Sequence, residues 1–206
     1  MNAQATIYIV DDDAAVRDAL TLLLEQEDFT VQAFDSAEAF LASVQPVARS
    51  CAIVDVRMSG MDGLQLQTTL ARKGVLLPVI LLTGHGTIPM SVQAIKSGAA
   101  DFLTKPISAA HLLVSIRAAL KESEKLFAQA QENHHAGQCL ACLTEREREV
   151  LMLAVEAMPN KEIARQLGIS HRTVEIHKAR IMHKTGAANL LDLAHLAEAC
   201  PGFLAD

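Results

Sequence analysis

The chain has 206 residues, half of them apolar, and a formal net charge of −6 at neutral pH. That balance excludes a disordered acidic tail protein, and the absence of Trp with a single Tyr excludes a surface built for aromatic stacking. No run approaches the ~18 unbroken apolar residues of a membrane span and no secretory signal is visible, so a soluble cytoplasmic protein of one or two domains, with no membrane partner, is expected.

In chain order, five short β-branched runs, TIYIV, FTVQAF, CAIVDV, PVILLT and ADFLT, alternate with helical patterns. Val16, Leu20, Leu23 and Leu24 recur at three-to-four spacing in the first helix, Ala39, Phe40 and Val44 in the second, and Ile107, Leu112, Leu113 and Ile116 in the last. Parallel strands need crossovers, so this alternation predicts an α/β domain over residues 1–122, a doubly wound five-stranded parallel sheet covered on both faces. Residues 123–142 are polar and rich in small side chains and predict a helical linker, with Gly137 as the helix stop.

Residues 143–206 predict an all-α domain of three or four short helices. Thr144 with Glu147 forms a capping box, Asn160 caps KEIARQL, Gly168 ends that helix, Ser170 caps the next, and Asn189 with Asp192 opens the last. Four cysteines make no disulfide framework, and Cys51, in an apolar run, is expected to be an inert core thiol. His134 and His135 precede Cys139 and Cys142, but adjacent histidines before this short loop do not match a familiar zinc spacing; the segment reads as linker with incidental thiols.

Charge is unevenly spread. Within 161–184 six basic residues face only Glu162 and Glu175, a local reversal able to meet phosphates in an otherwise acidic chain.

Asp11, Asp12 and Asp13 follow the first strand, and Asp55 ends the third. Ligands in open α/β sheets bind outside the carboxyl ends of the strands, so Asp11, Asp12 and Asp55 are expected in one crevice. A hard dication such as Mg²⁺ would offset their mutual repulsion, whereas carboxylates that only cap the following helix would not need one. Thr83 ends the fourth strand and Lys105 follows the fifth, adding a hydroxyl and a cation at the same edge. Carboxylate, hydroxyl, ammonium and metal are the parts that phosphoryl transfer needs. Lys105-Pro106 is a candidate cis peptide that would aim the lysine inward.

With Asp11-Asp12, Asp55, Thr83 and Lys105 in this order and spacing, the chain resembles a two-component receiver domain, and TGHGTIPMSVQAIKSGAADFLTKP is similar to the FixJ branch of that family. The resemblance implies Asp55 as phosphoacceptor, Asp11, Asp12, Asp55 and the Arg57 carbonyl as Mg²⁺ ligands, Thr83 and Lys105 as phosphoryl sensors, and Phe102 as the aromatic switch. Asp13 lies one place beyond the usual pair and is expected to start a helix. DVRMSGMDG departs from the family by carrying Ser59 where Pro is usual, which bears on the stiffness of the loop after Asp55.

NKEIARQLGISHRTVEIHKARIMHK reads as helix, tight turn, helix. On the second helix Val174, His177 and Ile181 cluster on one side, with Arg172, Glu175, Ile176, Ala179 and His183 opposite. For Ile176, an ordinary exposed side chain and a contact with a thymine methyl both fit the pattern. The stretch from LTEREREV to KTGA closely resembles the LuxR/NarL type of helix-turn-helix domain. That resemblance implies that the second helix of the motif enters the DNA major groove and that the final helix, LLDLAHLAEA, joins two subunits; Lys178, Arg180 and Lys184 are the phosphate candidates.

Together the two resemblances imply a response regulator, not an enzyme, whose partners are a sensor histidine kinase, double-stranded DNA, RNA polymerase and, on phosphorylation, a second copy of itself. An aspartate-nucleophile phosphohydrolase is the enzyme-class rival, but its motif places two aspartates at i and i+2 after the first strand, whereas Asp55 stands alone after the third. A recombinase would need a Ser or Tyr nucleophile with an Arg cluster, and neither that nor a P-loop is apparent.

Overall fold

The computed structural model describes residues 4–84 and 86–200. It divides into two compact units, residues 1–127 and 128–206. In the first, β1 (Thr6–Val10), β2 (Thr30–Phe34), β3 (Ser50–Asp55), β4 (Val79–Thr83) and β5 (Asp101–Thr104) form one parallel sheet in the order β2-β1-β3-β4-β5. The crossovers are α1 (Ala14–Glu25), α2 (Ala37–Ser43), α3 (Gly63–Arg72) and α4 (Ile88–Lys96), followed by α5 (Ala109–Ala141).

Alternating strand residues feed two separate cores. Tyr8, Val10, Ala52, Val54 and Leu81 pack with Phe40 of α2, Leu66 and Leu70 of α3 and Ala94 of α4. Ile7, Ile9, Cys51, Ile53, Ile80 and Leu82 face the other way, onto Leu24 of α1 and Leu112, Leu113 and Ile116 of α5. Burial pushes the Cys51 thiol up to about 12, so it stays protonated as the apolar run predicts. Strand order reverses between β1 and β3, and Val10 pairs with Val54. The residues that follow both strands therefore share one crevice.

The second unit contains the end of α5 with α6 (Glu145–Val155), α7 (Asn160–Leu167), α8 (His171–Thr185) and α9 (Leu190–Glu198). Leu140, Val150, Leu151, Ile163, Val174, Ile181 and Leu193 form its core. The Thr144–Glu147 capping box, the left-handed Gly168 C-cap and the Ser170 and Asn189 N-caps all form as the sequence predicts.

Two local expectations are corrected. Gly137 does not stop the helix, which continues to Ala141. A mid-helix glycine costs about 1 kcal/mol relative to alanine, and burying neighbouring Leu140 outweighs that. Asn160 does not cap α7: Pro159 holds the cap position, and the Asn160 amide oxygen accepts from Lys178 Nζ at 2.6 Å.

Candidate functional site

Three consecutive carboxylates after β1 are tolerable because they diverge. Asp13 turns back to cap α1, accepting from the Ala15 N–H at 2.9 Å. Asp12 turns outward, where its Oδ2 accepts from the Ser59 N–H at 3.0 Å. Asp11 points inward and is 3% exposed; its Oδ1 accepts from the Asp13 N–H and its Oδ2 from Lys105 Nζ, at 2.9 and 2.8 Å.

The same Lys105 ammonium donates to Asp55 Oδ1 at 2.7 Å, so one cation bridges the carboxylates at the ends of β1 and β3. Asp55 Oδ2 accepts from the Arg57 N–H at 2.6 Å. Burial pulls the Lys105 pKa down, but the bonds and charges of Asp11 and Asp55 outweigh that and hold it above the ordinary lysine value. The Lys105-Pro106 peptide is cis, and the Lys105 N–H donates to the Thr83 carbonyl at 2.7 Å. Thr83 is fully buried at the end of β4. Phe102, beside Leu81 in the sheet, is half-buried and packs against the first core.

Two glycines that carry no charge pattern shape this crevice. A Cβ on Gly63 would stand 2.4 Å from the Asp55 carbonyl oxygen, so α3 can begin beneath Asp55 only with glycine there. A Cβ on Gly86 would stand 2.6 Å from Thr104 Cγ2 and 3.1 Å from Phe102 Cε1. The sequence signal for both was only a glycine near the start of a helix.

Among the described residues, no three acidic, His or Cys side chains converge closely enough to hold a metal as they stand. The donor chemistry nevertheless fits a hard dication. Asp11 and Asp55 are buried and share one ammonium, with Asp12 adjacent, leaving carboxylate charge in excess around an all-oxygen set.

In the second unit, Val174 and Ile181 are buried and His177 is half-buried, while Arg172, Glu175, Ile176, Ala179, Arg180 and His183 are exposed on α8. Ile176, Ala179, Arg180, His183 and Lys184 line a shallow cavity of about 470 Å³. Lys178 and Lys184, the expected phosphate contacts, also have internal partners in the free protein. Lys178 is bonded to Asn160, and its partial burial pulls its pKa down. Lys184 Nζ lies 2.6 Å from Oε2 of Glu147, a carboxylate 3% exposed that needs a counter-charge, and 3.3 Å from the Cys142 carbonyl. Hydrogen bonds from Lys184 and Thr144 hold the Glu147 pKa down to about 2. Cys139 Sγ and His135 Nε2 lie 3.7 Å apart one turn along α5, and Cys142 Sγ donates to the Gln138 carbonyl, with no further metal ligand converging there among the described residues.

Residues 7–117 match the family model of the response regulator receiver domain, more than half of the chain. The chain is a response regulator. Residues 141–197 of the regulator match the luxR family of bacterial regulatory proteins. The regulator is similar to the transcriptional regulatory protein FixJ of Azorhizobium caulinodans, 43% identical over 93% of this chain and 90% of that one. It is also similar to the response regulator protein TodT of Pseudomonas putida, 41% identical over 94% and 86%. Among solved structures, response regulator StyR matches with a TM-score of 0.80 at 38% identity, over 95% of this chain and 99% of that one.

A receiver joined to a LuxR-type DNA-binding domain makes the regulator a two-component transcription factor, with a sensor kinase and DNA as the implied partners. Receiver domains as a family bind Mg²⁺ at the phosphorylation site. No described helix of the regulator is long and apolar enough to cross a membrane.

Proposed function

We propose that Asp55 accepts a phosphoryl group from the phosphohistidine of a sensor kinase and that this acylphosphate controls dimerisation and DNA binding by residues 143–206. The observation that carries the proposal is the Lys105 ammonium bridging Asp11 and Asp55 at 2.8 and 2.7 Å. A fixed cation beside a buried carboxylate can stay with the phosphoryl oxygens as charge moves onto them. An Asp55 carboxylate oxygen forms the new P–O bond while the P–N bond breaks and its electron pair leaves with the imidazole. Asp11, Asp12, Asp55 and the Arg57 carbonyl are the Mg²⁺ ligands, and the dication, when bound, offsets the charge of both nucleophile and phosphoryl group.

Thr83 and Lys105 answer the phosphoryl oxygens, and Phe102, packed near the loop after Thr83, relays the change to α4. There Ile88, Val92 and Ile95 form an exposed apolar stripe at one-turn spacing, 82, 48 and 51% exposed, which supports self-association through this face. On DNA, Arg172, Glu175, Ile176, Ala179, Arg180 and His183 of α8 face the major groove; Lys178 and Lys184 also tie α8 to Asn160 and Glu147. The chain works as a cytoplasmic switch that recruits RNA polymerase, not as a turnover enzyme. Incubation with a small acyl phosphate tests the acceptor chemistry: intact mass should rise by one phosphoryl group with Mg²⁺ and stay unchanged in excess chelator. Undiminished phosphorylation in chelator overturns the metal assignment.

A further inference from the structure

Residues 56–62 join β3 to α3 and carry the Arg57 carbonyl. The ends of this loop are fixed by its neighbours: the Val56 N–H donates to the Leu82 carbonyl at 3.0 Å, the Gly63 N–H to the Val56 carbonyl at 3.1 Å, and Asp62 with Gln65 forms the capping box of α3. Between them, every second N–H donates to a carboxylate. That of Arg57 reaches Asp55 Oδ2 at 2.6 Å, that of Ser59 reaches Asp12 Oδ2 at 3.0 Å, and that of Met61 reaches Oε1 of Glu38, in the first turn of α2, at 3.1 Å. The same Glu38 Oε1 would stand 3.1 Å from a Cβ on Gly60, whose φ of +78° turns the loop at this point. Glu38 therefore lies along the loop for two residues, from a helix that supplies none of the assigned metal ligands.

The three carboxylates are not equivalent. A dication held by Asp12 and Asp55 draws charge from the two acceptors on which the Ser59 and Arg57 N–H groups rest, so both bonds weaken as the metal binds. Glu38 carries no such second duty. Its bond to Met61 outlasts metal binding and keeps the middle of the loop in place while the other two anchors slacken. A loosened loop must be ordered again before its carbonyl can serve the metal, and that ordering costs conformational entropy. We propose, on the strength of the metal site assigned above to Asp11, Asp12, Asp55 and Arg57, that Glu38 is a positioning residue for that site: anchoring Met61 and bracing Gly60, it keeps the Arg57 carbonyl ready for the dication. As an acid in the first turn of α2, Glu38 also interacts favourably with the helix dipole. That role alone predicts lost stability in any variant lacking the charge, not weaker metal binding.

Mg²⁺ alone is titrated into the unphosphorylated full chain and followed by backbone amide NMR, for wild type, Glu38→Ala and Glu38→Gln. A thermal melt of each shows that these changes at an exposed residue leave the chain folded at the titration temperature. Glutamine loses the charge but keeps an oxygen that accepts from the Met61 N–H, whereas alanine loses both. In about 0.15 M salt, charges more than about 8 Å apart are largely screened, so the two variants separate the bond from the charge. Saturable shifts at Asp11, Asp12, Arg57 and Ser59 are expected in all three proteins. The Mg²⁺ dissociation constant should be about threefold higher in Glu38→Ala, within the range of one hydrogen bond, and close to wild type in Glu38→Gln. A wild type that binds Mg²⁺, with the same constant in Glu38→Ala, would overturn the positioning role alone; so would equal weakening in both variants, the mark of a charge effect. No saturable shift in wild type would overturn the metal assignment and the positioning role together.

Discussion

The Ser59 N–H donates to Asp12 Oδ2 at 3.0 Å, a bond that the proline usual at this position in receiver domains could not make. The departure at residue 59 thus gives the loop after Asp55 a tether in place of a stiff ring. It also engages a carboxylate that the proposed metal site needs. Ser59→Pro should free Asp12 and lower the Mg²⁺ concentration for half-maximal phosphorylation roughly three- to tenfold, the range of one ordinary hydrogen bond at an exposed position. A magnesium titration of phosphodonor labelling measures it, and an unchanged midpoint would remove Ser59 from the account.

Gly63 sets how closely α3 approaches the acceptor. Gly63→Ala forces its methyl against the Asp55 carbonyl, so a loss of about 2 kcal/mol in stability is expected, with slower phosphorylation of the molecules that remain folded. Denaturant unfolding and labelling rate, measured together, test both consequences. A variant as stable as wild type would show that the approach is looser than the structure has it.

Glu147 and Lys184 join the start of α6 to the end of α8. The Glu147 pKa is depressed in the folded protein, from 4.5 to about 2. Its contribution is therefore fully present above pH ~4.5 and lost as pH falls toward ~2. Lys184→Met should cost about 1–2 kcal/mol at neutral pH, since Lys184 is one-third exposed, and the deficit should shrink on acidification through that window. Thermal melts of both proteins over pH 2–7 give the comparison; a deficit independent of pH would contradict the pairing.

The two sides of α8 should respond differently. Ile176→Ser is expected to change which DNA sequence is preferred and leave the melt unchanged, whereas Val174→Ser, at a fully buried position, should cost about 2 kcal/mol or more of stability. Arg180→Ala should weaken binding to every sequence and flatten the salt dependence by about one unit of slope. Binding to matched and mismatched sites over a salt series separates these outcomes. A specificity change in a stable Val174→Ser protein would reverse the assigned faces.

What could be read in advance followed periodicity and local chemistry. The five strands, the two-sided burial and the gathering of Asp11, Asp55, Thr83 and Lys105 come from alternation and strand-end position, properties of short windows. What local pattern does not show comes from contacts between distant residues. Lys178 reaches Asn160 across 18 positions and Lys184 reaches Glu147 across 37, and neither bond is visible in any short window. Gly137 failed as a helix stop for the same reason, since the burial of Leu140 in a tertiary core overrides a local propensity.

Control of DNA binding through Asp55 is tested most directly by one comparison. Asp55→Asn keeps nearly the same shape but replaces a nucleophilic carboxylate with an amide, whose single oxygen can keep only one of the two hydrogen bonds from Lys105 and Arg57. DNA affinity is measured for wild type and Asp55→Asn, each before and after incubation with a small acyl phosphate and Mg²⁺, with intact mass recorded on the same samples. Wild type should gain one phosphoryl group and bind its selected DNA at least tenfold more tightly, while Asp55→Asn gains neither mass nor affinity. Equal labelling and equal tightening of both proteins would place the acceptor elsewhere and contradict the account.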